Sequence, residues 1–468
     1  MDDQKNKPSL WQLFKLSLNN NTQQDFTQGS IGIAAFLLAV PMVLEMAMES
    51  VFAIVDIFFV SALGFAAVAV VGLTEAVLTL IYAIAIGLSM GVTALVARRI
   101  GQKQPEQANT IAGQALWLGF SIALAIALIG SFYAADILRL MGADEAVLAM
   151  GESYTTIMLC SAITILYLFI INAIFRGAGD ASIAMRSLWI ANGINIILDP
   201  IFIFGLGPIP EMGVTGAAIA TSIGRGIGVL YQLWHLFGVA GRIQVRIAQL
   251  RIQLPIIQQL IRVSMGGMLQ FLIATASWVI LMRIVSLYGS EAVAGYTIAI
   301  RVVMFSILPA WGLSNAVATL VGQNLGAGKP DRAERSVWVI ARYNIIFMLT
   351  VALLFIVFAP DIIVVFNDDP GVLQSGIDCL RMVAYGYGFF ALGMVLVQAF
   401  NGAGDTMTPT RINFFCYWLI QIPLAYCLAV YFELQSQGVY VAVLAAESLI
   451  AVFGYLLFRT GRWKQTAI

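Results

Sequence analysis

An all-helical membrane fold, with twelve spanning helices in two parallel six-helix lobes, is what three observations on this chain predict. First, 60% of its 468 residues are hydrophobic and only 11% are charged, far below the roughly 25% charge of a soluble domain. Second, apolar stretches recur from about residue 33 to 460 with short polar breaks between them, and many reach the roughly 20 residues that a helix needs to cross the hydrocarbon core. Third, a single internal offset aligns the first half of the chain with the second. A β-barrel is excluded, because its strands alternate over about 10 residues.

Taken in order, residues 1–30 form a polar segment without a signal peptide, since the apolar stretch that follows is too long for an h-region. Within it, Leu10, Trp11, Leu13, Phe14 and Lys15 make a short amphipathic helix suited to a membrane surface. The first lobe, residues 31–239, holds spans expected near 33–62, 66–98, 108–131, 152–176, 183–206 and 213–238. Residues 240–261, with Arg242, Arg246 and Arg251 among apolar neighbours, read as an interfacial linker. The second lobe, residues 262–460, holds spans near 262–288, 291–322, 334–359, 374–401, 408–432 and 438–459, and residues 461–468 form a tail. Cys160, Cys379, Cys416 and Cys427 lie in or beside spans without paired spacing, so neither a disulfide nor a zinc site is expected.

Net charge is zero but sorted. Arg98, Arg99, Lys103, Arg176, Arg186, Arg242, Lys329, Arg332 and Arg411 fall on one side of this topology, and Asp136, Asp144, Glu145, Glu211, Glu291, Asp361, Asp369 and Glu433 on the other, with Arg139 and Arg381 as basic exceptions there. The positive-inside rule then predicts a multi-pass protein of the cytoplasmic (inner) membrane with both termini in the cytoplasm.

The offset is 400 − 175 = 225, from the match of Phe175-Arg-Gly-Ala-Gly-Asp180 with Phe400-Asn-Gly-Ala-Gly-Asp405. It also pairs Gly87-Leu-Ser89 with Gly312-Leu-Ser314, Gly101 with Gly326, Pro105 with Pro330 and Arg186 with Arg411. Six spans return the chain to its starting side, so the halves share orientation about an axis normal to the membrane, a layout suited to alternating access. The two Gly-Ala-Gly-Asp turns read as helix C-caps followed by an aspartate that caps the next helix.

Carboxylates inside hydrocarbon mark functional sites by default. Glu45, Glu49 and Asp56 lie four and seven residues apart on one face of the first span, and Pro41, one turn earlier, is the expected hinge. Asn195 and Asp199 share a face of the fifth span, and Asp56, Asp199 and Thr221 sit at matched depth, about 10 Å below the outer boundary. Under the offset Asp56 becomes Leu281, Asp199 Leu424, Asn195 Ile420, Glu45 Gln270 and Glu49 Ala274, so the polar cluster is expected in the first lobe alone. Met42, Met46 and Met48 beside the acids read either as an adaptable cavity wall or as packing. Glu75, Arg225, Arg283 and Arg301 are intramembrane without assignable partners.

The chain resembles multidrug and toxic compound extrusion (MATE) transporters over nearly its whole length. The resemblance rests on the parallel repeat, on Pro41 with Val55-Asp56, on Arg176-Gly-x-Gly-Asp180 and on Asn195-x-x-x-Asp199-Pro200. It implies a cation or proton site at Asp56, Asn195, Asp199 and Thr221, with Asn172 as a cavity asparagine. Glu45, Glu49, Met46 and Asn172 are then the expected substrate cavity, and Asp56 with Asp199 a possible Na+ site. The stretches Gln270-Phe-Leu-Ile-Ala-Thr275 and Phe389-Phe-Ala-Leu-Gly-Met394 carry no carboxylate, which points to the DinF-like branch rather than the NorM-like one. The function implied is a monomeric antiporter that exports small organic cations or drugs for H+ or Na+. No other cofactor and no nucleic acid is expected, and membrane lipid is the surrounding partner. A flippase of a lipid-linked saccharide is the alternative on the same fold, ranked lower because the first lobe is acidic. An enzyme is not expected, since the chain has one histidine and no paired catalytic motif.

Overall fold

A computed structural model describes residues 9–19, 24–238 and 241–468. Parts of the expected N-terminal segment (1–8 and 20–23) and of the linker boundary (239–240) lie outside the described residues. A short helix, Leu10–Leu18, comes first. Ser9 and Gln12 start it with a reciprocal capping box, the Gln12 amide N–H donating to Ser9 Oγ at 3.2 Å and the Ser9 N–H to Gln12 Oε1 at 2.8 Å.

The first six spans are Ile31–Ser61, Phe65–Gly101, Pro105–Leu140, Glu145–Ala178, Ala181–Phe204 and Gly213–Phe237. The next six are Leu254–Val285, Ser290–Gly326, Pro330–Val364, the bent pair Pro370–Tyr385 and Tyr387–Ala403, Met407–Tyr431 and Gln435–Arg459. Several outrun the apolar windows expected for them. The third span, at 36 residues, is about 54 Å long, well beyond the hydrocarbon core. The seventh begins at Leu254, with Pro255 in its first turn, so the linker is shorter than expected, residues 254–261 belonging to the span. The third span holds what remains: Gln114 Nε2 donates to the carbonyls of Gln249 (3.1 Å) and Arg251 (3.0 Å), and the Trp117 indole to that of Leu250 (2.7 Å).

The offset of 225 extends to features that composition does not show. The fourth span breaks at Ser161 and the tenth bends by 56° at Gly386, its repeat mate. Gly179 and Gly404 end their helices with φ of 92° and 86°, the left-handed region that favours glycine. Asp144 and Asp369 each cap the helix that follows them. The two Gly-Ala-Gly-Asp turns nevertheless differ. Asp405 accepts from the Thr408 N–H (3.2 Å) and hydroxyl (2.6 Å), as a capping residue should. Asp180 makes no capping bond and faces Arg242 Nε at 3.8 Å, because the linker delivers a cation to this turn alone. Burial pushes the Asp180 carboxyl up to about 6, although Arg242 pulls the other way.

The lobes pack crosswise, the first span on the eighth and the second on the seventh. Glycines permit the approach: a Cβ at Gly87 would stand 2.3 Å from the Met268 side chain, and one at its mate Gly312 would stand 2.4 Å from the Met42 carbonyl. The lobes also meet at the basic ends of the spans. There Thr319 Oγ1 donates to the Arg176 carbonyl (2.9 Å), Gln323 Nε2 to that of Gly177 (2.9 Å), and Arg98 to those of Ala403 and Thr466 (both 3.1 Å). Residues 24–29 lie across this seam. Lys329 donates to the Thr27 carbonyl (2.9 Å), Arg332 to those of Gly29 (2.9 Å), Gln28 (2.8 Å) and Phe26 (3.2 Å), and Arg242 of the linker to that of Gln24. Phe26 is buried beneath the Arg242 guanidinium.

Candidate functional site

The first span runs unbroken through Pro41. The ring denies the Leu37 carbonyl its usual helical donor, which weakens the helix just before the acids. Those acids divide between two places rather than forming one group.

The lower place is a cavity of about 240 Å³ between the lobes. From the first lobe, Glu45, Met46, Glu49, Tyr82, Asn172 and Arg176 line it; from the second come Trp311, Asn315, Gln398 and Asn401. All four expected cavity residues, Glu45, Glu49, Met46 and Asn172, are therefore brought together. Glu45 is buried, and its Oε1 accepts from Asn172 Nδ2 at 2.9 Å and faces Arg176 NH1 at 3.6 Å. Gln232 Nε2 steadies Asn172 through its Oδ1 at 2.5 Å. Asn192 Nδ2 donates to Glu49 Oε2 at 3.1 Å. Met42 does not join the wall; it is fully buried in the core. Arg176, expected among the basic surface residues, turns inward instead to meet Glu45.

The upper place holds the expected ion-site residues. Asn195 Nδ2 donates to Asp199 Oδ1 (3.2 Å) and to Thr221 Oγ1 (3.0 Å), fastening the fifth span to the sixth. Asp199 is wholly buried. Two acceptor oxygens there, Asp199 Oδ2 and Asn195 Oδ1, are buried with no hydrogen-bond partner, a condition that native proteins seldom leave uncompensated. Asp56 interacts electrostatically with Asp199 and with Arg225 but makes no direct hydrogen bond to the cluster. None of these four residues lines the lower cavity.

Arg225 links the two places. Its NH2 donates to the Tyr82 hydroxyl at 2.8 Å, and Tyr82 lines the cavity. Arg225 also interacts with Asp56, Glu49 and Glu75, and Glu75 with Arg301. Partners are thus found for three of the four intramembrane charges that sequence left unassigned; Arg283 is exposed near the end of its span.

The second lobe carries a buried carboxylate away from the repeat mates of the first-lobe acids: Glu447 of the twelfth span is 6% exposed and accepts from the Tyr417 hydroxyl at 2.8 Å. Tyr417 sits where the eleventh span widens to π-type winding over Phe414–Gln421, a feature frequent at functional sites. The offset gives no hint of this carboxylate, because its first-lobe mate is Ser222.

A family model described as MatE matches residues 41–201 and 268–427. A probable multidrug resistance protein NorM of Thermotoga maritima is 25% identical over 92% of this chain and 93% of its own length. A FAD transporter of Shewanella oneidensis is 27% identical over 87% of this chain and 89% of its own. Among solved structures, an outward-facing multidrug resistance MATE family transporter of the MOP superfamily superimposes with a TM-score of 0.88 at 27% identity, covering 94% of this chain and 98% of that one. With its parallel lobes, its buried Asn195-Asp199-Thr221 cluster and a family match across both halves, the chain belongs to the MatE family of transporters.

Proposed function

We propose that this protein is a secondary antiporter that exports small organic compounds, often cationic, from the cytoplasm in exchange for inward-moving H+ or Na+. The observation that carries the reading is the pair of orphaned oxygens, Asp199 Oδ2 and Asn195 Oδ1, beside Asp56. A proton would satisfy one acceptor and lift the repulsion between two carboxylates. A sodium ion would find four oxygen-bearing side chains in Asp56, Asn195, Asp199 and Thr221, in keeping with its preference for oxygen ligands. The basic side then faces the cytoplasm of an inner membrane.

The separate cavity supports a cationic cargo, since its ionisable wall has two carboxylates, Glu45 and Glu49, against one guanidinium, Arg176. The same balance disfavours an anionic cargo such as that named for the Shewanella relative, and disfavours a lipid-linked pyrophosphate. Absence of any carboxylate from the seventh span supports the DinF-like branch, with coupling in the first lobe. Ion binding at Asp56 and Asp199 favours bending of the first span at Pro41; the ion must prefer one conformation, because equal binding to both shifts nothing.

The test is dye movement into proteoliposomes under an imposed pH or sodium gradient. Wild type is expected to move a lipophilic cationic dye under one of them. Asp199→Asn and Asp56→Asn are expected to insert normally yet lose at least about 99% of gradient-driven transport, the loss of a charge-dependent step worth about 3 kcal/mol. Dye movement that ignores both gradients, or survives both substitutions, rejects coupling at this cluster.

A further inference from the structure

The second-lobe wall of the cavity carries no charge but has a direction. Gln270 Nε2 donates to two acceptors, the backbone carbonyl of Thr406 (3.0 Å) and Asn401 Oδ1 (3.0 Å). Asn401 Nδ2 donates to Gln398 Oε1 (3.2 Å) and back to Gln270 Oε1 (3.4 Å), and Gln398 Nε2 donates to Asn315 Oδ1 (2.7 Å). Gln270, Gln398 and Asn401 are at least 95% buried.

A carboxamide can normally be turned end for end. Here one backbone carbonyl decides all four. Turning Gln270 would set its oxygen against the Thr406 oxygen, and each later amide inherits its orientation from the one before. The series ends at Asn315, whose Oδ1 is taken and whose Nδ2 has no hydrogen-bond partner among the described residues. Asn315 lines the cavity, so a fixed donor is presented there. Trp311, four residues earlier on the same helical face, lines the cavity beside it, and Tyr82 and Phe169 add aromatic surface from the first lobe.

We propose that Asn315 is a specificity-determining donor subsite. It takes a neutral acceptor oxygen, such as a ring carbonyl, of a planar substrate whose amine is held by Glu45 and Glu49 of the first lobe. A carboxylate is not the occupant, since those two acids share its cavity. Gln270, Asn401 and Gln398 are positioning residues. The donor is oriented before binding, so little ordering entropy opposes the contact. This assignment rests on the cavity being the organic-cation site.

Two fluorescent amines of one outline test it: an acridone bearing an aminopropyl chain, which has the ring carbonyl, and an anthracene bearing the same chain, which lacks it. Their Kd values are measured on the purified, reconstituted full-length protein at mildly alkaline pH. Asn315→Asp keeps the acceptor for Gln398 and replaces the donor with an acceptor. The preference for acridone over anthracene is expected to fall at least about five-fold, the worth of one neutral hydrogen bond, while anthracene binds no worse. Asn315→Leu is expected to lower the same preference. An unchanged preference in both variants overturns the donor assignment and leaves the cavity reading standing. Failure of both probes to bind wild type overturns the cavity reading, and this assignment with it.

Discussion

Glu45 and Arg176 in the first lobe occupy the same repeat positions as Gln270 and Asn401 in the second, since 270 − 45 and 401 − 176 both equal 225. The pairs join equivalent helices of the two lobes, the first span to the fourth and the seventh to the tenth. One is an ion pair at 3.6 Å and the other an amide pair at 3.0 Å. Farther up the spans the divergence widens. Asp199, Asn195 and Thr221 have Leu424, Ile420 and Ala446 as mates, and Asp56 has Leu281, a fully buried core residue. The order of the spans and the matched breaks at Ser161 and Gly386 keep the symmetry, while the eleventh span's π-type winding and the placing of the buried acids depart from it. Under the proposed antiport, two lobes of similar geometry would rock against each other with only one of them responding to an ion.

Equalising the lobes is the most severe test of that contrast. Arg176→Asn alone leaves Glu45 without its countercharge, and breaking a buried pair this way costs about 3–5 kcal/mol. Adding Glu45→Gln reproduces the second-lobe pair and is expected to recover most of the loss. Apparent melting temperature in detergent reads both variants; a double variant as unstable as the single one would mean that the two pairs are not interchangeable.

Leu281→Ala addresses the mate of Asp56. A fully buried leucine is lost, so about 2–5 kcal/mol of stability should go with it, while the ion-to-substrate ratio in proteoliposomes stays at the wild-type value. A changed ratio would carry coupling into the second lobe.

The Asp180 turn supplies a pH signature that the Asp405 turn lacks. A carboxyl raised from 3.8 to about 6 contributes stability that is complete below pH about 4 and lost as pH climbs past 6. Asp180→Asn is expected to flatten the fall in melting temperature over that window, and a slope identical to wild type would dissociate the fall from this group.

Glu447→Gln should have the smallest effect. Its amide oxygen still accepts from Tyr417, and hydrogen bonds between membrane helices average about 0.6 kcal/mol, so transport is expected to change by less than about three-fold. Loss of gradient-driven transport would make Glu447 a second coupling group.

Span number, repeat and parallel lobes were legible because lipid enforces long apolar helices and a duplication leaves one offset. The acid face of the first span was legible from spacing alone, as was the Asn195-Asp199 pair. Other parts needed three dimensions. Arg176 sits at a helix end among basic neighbours, where hydropathy reads a surface cation, and only the approach of the first span shows its partner. Arg225 and Tyr82 are 143 residues apart, so nothing local connects them. Ser161 and Gly386 lie within continuous apolar stretches, and neither a serine nor a glycine need end a helix there. Asp180 has the signature of a cap, but an arginine from the linker intercepts it.

The clasp formed by residues 24–29 is held largely through main chain, with the Phe26 ring under Arg242 and the Asp25 carboxylate beside Arg242, Lys329 and Arg332 as its side-chain contacts. Lys329, Arg332 and Arg242 grip the carbonyls of Gln24, Phe26, Thr27, Gln28 and Gly29, and every amino acid supplies that same oxygen. Substitutions at Gln24 or Gln28 therefore leave the grip unchanged, whereas replacing one of the three cations releases it. The path of the N-terminal stretch is thus set by cations hundreds of positions away in the chain.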